Sequence, residues 1–176
     1  MKKLNFAVAF IIVIFFTACE KPTHLKSDCI VFQKINKTIT VSQNDTILND
    51  VIFTVTGNDT DGIHAYVYRV GEQLLIGNGS NDFLFNEDKI IVLNHNDIIA
   101  STSIGTWGNK EKLYIDDFAG KGEKYIGFRL GLSYPPFSCF YYWIKISLSA
   151  DKKTLKIISM AHNNMEDNPI LAGQIK

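Results

Sequence analysis

From residue 29 onward, apolar and polar positions alternate in short runs and do not recur at helical spacing. Ile126, Phe128, Leu130 and Leu132 alternate with Tyr125, Gly127, Arg129 and Gly131. Successive strand side chains point to opposite faces, so this run predicts one buried face and one mixed face. Farther along, Phe140, Tyr142, Ile144, Ile146 and Leu148 share one face, while Tyr141, Trp143, Lys145 and Ser147 share the other. The last run sets Leu155, Ile157 and Ser159 against Lys156, Ile158 and Met160. Strands are expected at 29–33, 37–42, 51–56, 63–70, 73–76, 89–93, 112–115, 124–133, 139–149 and 154–161. Turn formers separate them, including Asn44-Asp45, Gly77-Asn78-Gly79, Gly120-Lys121-Gly122 and Asp151-Lys152-Lys153. Outside the first residues, no long stretch carries a 3.6-residue period with caps, so helix is minor. The expected class is all-β, an antiparallel β-sandwich of jelly-roll or immunoglobulin-like kind.

The N-terminus follows a different pattern. Lys2 and Lys3 precede an uncharged run over 4–16, shorter than the roughly 20 residues a spanning helix needs. It fits the apolar region of a secretory leader. Phe16-Thr17-Ala18-Cys19 resembles the lipobox of bacterial lipoproteins, with Phe16 where that family prefers leucine. The resemblance implies that the Cys19 thiol takes a diacylglyceryl group as a thioether and becomes the mature N-terminus. Two or three acyl chains hold far better than the marginal grip of one. The expected organisation is a signal peptide over 1–18, a polar tether over 19–28 and one β-sandwich domain over 29–176. Glu20 stands where lipoproteins kept at the inner membrane typically carry aspartate. The expected location is therefore the outer membrane of a Gram-negative cell, on its periplasmic or cell-surface face.

A mature chain of 158 residues is long enough for one domain with a sizeable core. Without Lys2 and Lys3 it carries 16 basic and 18 acidic residues, a formal net charge of −2. Such a balance gives no electrostatic reason to bind nucleic acid. Cys29 and Cys139 remain after lipidation. In an oxidising compartment they either form a disulfide or persist as two small buried thiols, and the sequence leaves both open.

Four segments of the C-terminal third resemble a group of secreted bacterial β-domains: Tyr125-Ile126-Gly127-Phe128-Arg129-Leu130, Tyr141-Tyr142-Trp143-Ile144, Ala161-His162 and Pro169-Ile170-Leu171-Ala172-Gly173. Tyr142 stands in place of that group's usual glycine, and His162 in place of an aromatic residue. The resemblance implies fold and secretion and brings no catalytic mechanism.

Candidate chemistry is sparse. Placing Gly62 at the sixth position of an EF-hand loop puts Asp59 and Asp61 at two ligand positions, but Gly57 and Tyr68 fall where carboxylates are needed. Asp59 and Asp61 are thus weak candidates for a looser oxygen site, and a polar turn is the plainer reading. A hydrolase would have to gather His64, His95 or His162 with a carboxylate and a hydroxyl from distant segments. The aromatic residues Tyr66, Tyr68, Trp107, Tyr141 and Trp143 are candidates for stacking on sugar rings, against the alternative that a sandwich uses them as core. The function expected is a lipid-anchored, non-enzymatic binding or structural module of the cell envelope, with no catalytic residue and no cofactor. A carbohydrate-binding module and a hydrolase are the alternatives. The expected partners are the membrane, through the N-terminal lipid, and a glycan or envelope protein.

Overall fold

The computed structural model describes residues 29–40, 50–51, 65–70, 72–78, 82–110, 112–131 and 138–176. Its strands are β1 (Ile30–Thr40), β2 (Asp50–Val51), β3 (Ala65–Val70), β4 (Gln73–Asn78), β5 (Asp82–Asn86), β6 (Lys89–Ile90), β7 (Ile98–Ile99), β8 (Thr106–Gly108), β9 (Leu113–Tyr114), β10 (Glu123–Gly131), β11 (Cys139–Leu148), β12 (Thr154–Asn163) and β13 (Ile170–Leu171). A 3-10 turn spans Asp116–Phe118. The expected all-β class is what the structure has.

Eleven strands form one curled sheet in the order β1-β12-β11-β10-β5-β6-β9-β4-β3-β2, with β8 added beside β5; β7 and β13 make a second, small sheet. Every strand pairing is antiparallel except β6 with β9, which is parallel. The main core joins Val67, Leu74, Ile76 and Leu113 from one end of the sheet to Phe128, Ile144, Ile146 and Ile157 from the other. The sandwich therefore arises because one sheet folds over and buries its own concave face.

Local chemistry explains the register. The predicted strands 29–33 and 37–42 are one continuous β1, bent where its pairing with β12 shifts between Lys34 and Lys37. Asn36 sits there at φ 54°, a left-handed conformation that asparagine tolerates better than most residues. A second bulge lies in β12. Lys145 and Ile146 face Ser159 and Ile157, which leaves Ile158 as the extra residue. Met160 consequently shares the core face of Ile157, and the strict alternation expected along 154–161 is broken. The β11–β12 turn is held by the Ser149 hydroxyl, which donates to Asp151 Oδ1 at 2.6 Å and accepts from the Thr154 N–H at 2.9 Å.

β5 was not anticipated. Phe83 and Phe85 enter the main core while Leu84 enters a second one on the opposite face. A strand buried on both sides reads as a plain apolar run without period two.

Candidate functional site

The outer face of β10–β12 carries that second core: Tyr125, Tyr141, Trp143 and Ala161 beneath Leu93, Ile99, Ile170 and Ala172. This face was expected to be mixed. It is buried because the chain from Ile91 to Trp107 and the C-terminal segment fold across it. Gly127 permits the approach, since a Cβ there would stand 3.1 Å from Leu93 Cδ1. Gly173, at φ +87°, permits the return of the tail, because a Cβ would collide with His95 Nδ1 and the Tyr125 hydroxyl. The Trp143 indole N–H donates to the Gln174 carbonyl at 3.1 Å and ties that tail down.

The aromatic candidates are thereby accounted for. Tyr141 and Trp143 are 2% and 1% exposed, so neither offers a ring face to a sugar. They serve as core, and the stacking role weighed for them is corrected. Trp107 is half-buried; its ring lies 5.8 Å from Tyr141 on one side and 5.2 Å from the Arg129 guanidinium. Its N–H is spent on the Ala100 carbonyl at 3.0 Å. For Tyr66 and Tyr68 only the backbone is described, in β3. Cys19, Asp59, Asp61 and His64 lie outside the described residues.

Cys29 and Cys139 are free thiols, and the disulfide weighed for them is not made. β1 and β11 lie on opposite sides of β12. That separates the backbones by about 9–10 Å, beyond the roughly 7 Å a disulfide bridges. Burial pushes the Cys139 thiol up from its ordinary value. Its backbone N–H donates to Asp167 Oδ1 at 2.9 Å, and its carbonyl accepts the Asp167 N–H at 2.7 Å. Beside it Ser138 Oγ donates to Glu166 at 2.7 Å, and Arg129 grips Asp82 through Nε at 2.9 Å. Tyr141 in the same corner is pushed up to about 12, first by burial and then by Cys139. The bonds from Ser138 to Glu166 and between Cys139 and Asp167 fasten loop 164–169 to the start of β11, while the Arg129–Asp82 pair links β10 to β5.

The two described histidines, His95 and His162, do not converge. His95 packs against Tyr125 on the outer face, at 6.1 Å between rings. His162 stacks on Tyr142 in the other layer, at 4.8 Å. Among the described residues no group of three or more His, Cys, Asp or Glu is placed to hold a metal ion. No described helix is long and apolar enough to cross a membrane.

What sequence reasoning missed is a groove of about 600 Å³ over the second core. Leu84 and Leu93 form its floor, Ile91, Ile98 and Ile104 its walls, and Asn96, Asp97, Thr102 and Ser103 part of its rim. Ile104 is 93% exposed and Ile98 is 56% exposed. The loop that displays them is braced: Ser103 Oγ donates to the Ile98 carbonyl at 2.9 Å and accepts the Ala100 N–H at 2.8 Å. Also at the rim, Asp97 Oδ2 accepts the Asn94 N–H at 2.6 Å, while the Asp97 carbonyl accepts the Ala172 N–H at 2.9 Å. This volume falls within the range of roughly 300–1,000 Å³ usual for preformed ligand pockets. The sequence signal is the pair Ile98 and Ile104 on either side of Ile99-Ala100-Ser101-Thr102-Ser103, legible only once that loop is known to cap a core.

No family model, no curated protein and no solved structure matches this chain.

Proposed function

We propose that this chain is a lipid-anchored, non-enzymatic binding module of the bacterial cell envelope, and that the groove beneath Ile98 and Ile104 is its binding surface. The observation that carries the reading is the braced loop 98–104. It holds two large apolar side chains in water beside a concave apolar floor, an arrangement monomeric proteins usually keep for a partner. The matching ligand is an apolar group, a branched side chain or a short acyl segment, flanked by donors that reach the Asp97 carboxylate.

Two experiments test the two halves. Titration with an apolar fluorescent dye should show saturable binding that falls at least about tenfold in Ile104→Asp and Ile98→Asp, the scale of losing one or two buried aliphatic side chains. Binding that is not saturable, or is indifferent to both changes, removes the groove as a site. For the anchor, Cys19→Ala should leave uncleaved precursor and abolish acyl labelling. Unchanged processing refutes attachment through Cys19.

A further inference from the structure

We propose that the N-terminal half of β1 is a bilayer-docking edge, so that the domain lies against the membrane that holds it; this rests on acylation of Cys19. The ten residues from Cys19 to Cys29 span at most about 36 Å fully extended. The start of β1 therefore stays within that distance of the acylated residue. The chemistry of the strand suits a headgroup boundary. Val31, Phe32, Gln33 and Lys34 are four successive exposed residues. On a sheet covered on both faces, such a run marks a stretch that the two cores leave open, between Ile30 and Ile35, which still pack against them. Val31 is 47% exposed and Phe32 44% exposed. Val31 pairs with His162, and Phe32 pairs with Ala161 and leans on Trp143 at 6.1 Å between rings. The same indole donates to the Gln174 carbonyl, and the next residue, Ile175, is 52% exposed. Phe32 leans on this buried tryptophan, Ile175 follows the residue whose carbonyl the indole bonds, and Lys34 and Lys176, close to them along the chain, are exposed.

Apolar side chains with neighbouring lysines match the boundary between acyl chains and phosphates. The occupant is the phospholipid surface itself. The bulge at Asn36 ends the flat stretch, and Ile39 beyond it turns into the core. β1 also terminates the described sheet, and an open edge elsewhere is a template for a second chain.

The test uses the full acylated protein in phosphatidylethanolamine–phosphatidylglycerol vesicles, with mass measurement of the acylated N-terminal peptide on the same sample. Phe32→Trp should be quenched at least about twofold by lipids brominated on their acyl chains, as expected for insertion into the acyl boundary. Thr38→Trp, at the far end of the strand, should remain open to iodide and indifferent to brominated lipid. Val31→Trp provides a second reporter if Phe32→Trp disturbs folding by circular dichroism. Acylated protein whose reporters respond only to iodide overturns the docking and leaves the anchor intact. Reporters shielded from both quenchers, with β1–β1 cross-links that grow with protein density, overturn it in favour of a second copy. Absence of the acyl group overturns the anchor and the docking together.

Discussion

The two faces of β10–β12 are built on different terms. On the inner face 19 buried residues gather among those described, nearly all from regular strands; on the outer face there are nine, several from a loop and the C-terminal tail. The inner core draws its cohesion from many interchangeable aliphatic contacts. A row of rings runs from it to its margin, Phe83 tilted on Phe128 at 6.0 Å, Phe128 stacked on Tyr142 at 4.7 Å, and Tyr142 stacked on the half-buried His162 at 4.8 Å. The outer core depends on a few particular devices: two glycines, two indole hydrogen bonds and a braced loop. A large core sets whether the domain folds, whereas the small one sets whether the groove exists.

The largest expected effect breaks either core at its centre. Phe128→Ala and Trp143→Ala should each cost about 3–5 kcal/mol, the usual scale for deleting a buried aromatic side chain. They should differ in reach. Phe128→Ala lowers the urea midpoint for the whole domain. Trp143→Ala also frees the Gln174 carbonyl, so hydrogen exchange over 170–174 should approach that of an unprotected chain. Equal protection of the tail in both variants would show that the indole does not fasten it.

Next in size is Gly173→Ala. A side chain at a left-handed position costs about 1–3 kcal/mol, and here the Cβ also meets His95 and Tyr125. The loss should be local: faster exchange at Ile98, Ile99, Ile170 and Leu171 with β10–β12 unchanged, and weaker dye binding in the groove. An undisturbed β7–β13 pair would contradict the wedge role given to this glycine.

How much of this was written in the sequence follows the same division. The inner face was legible because alternation is a local signal, and Phe140, Tyr142, Ile144, Ile146 and Leu148 announce it without knowledge of anything distant. The outer face was not. Its strand positions mix Gly127, Arg129, Lys145 and Ser147 with aromatic residues, and burial of the first half depends on a segment some thirty residues upstream. Bulges at Asn36 and Ile158 shift parity for structural reasons that no periodicity records. β5 hid for the opposite reason, because burial on both sides erases alternation. The groove was least legible of all: its two exposed isoleucines are ordinary letters until the loop between them is seen pinned by Ser103. The resemblance of Phe16-Thr17-Ala18-Cys19 to a lipobox belongs to a third category, because a peptide-level signal of that kind would not pass through the fold.

A smaller change probes the brace directly. Trp107→Phe keeps most of the ring contact with Tyr141 and deletes the bond to the Ala100 carbonyl. The expected cost is about 1 kcal/mol, the net worth of one such bond. The consequence for the groove should exceed the consequence for stability, because Ala100 lies in the loop that presents Ile98 and Ile104. A fall in dye affinity with a nearly unchanged urea midpoint is the expected result; a parallel fall in both would tie the loop to the core more tightly than the contacts suggest.

The smallest effect comes from pH and acts through His162 at the end of the ring row. Burial lowers the His162 pKa from its ordinary 6.5. The folded state then resists a proton that the unfolded chain accepts. Stability from this residue is therefore complete above about pH 6.5 and declines as pH falls below it, until the lowered folded value is passed. His162→Phe should preserve the stack on Tyr142 while removing the titration. Between about pH 7.5 and about pH 5.5, the urea midpoint of the unaltered protein should drop further than that of His162→Phe. Asp151, lowered from 3.8 first by the Ser149 hydroxyl, is lost only in stronger acid and stays outside this window. Identical midpoint shifts in the two proteins would place the imidazole in contact with water and loosen the end of the ring row. A larger drop in the unaltered protein would mark the end of that row as pH-sensitive.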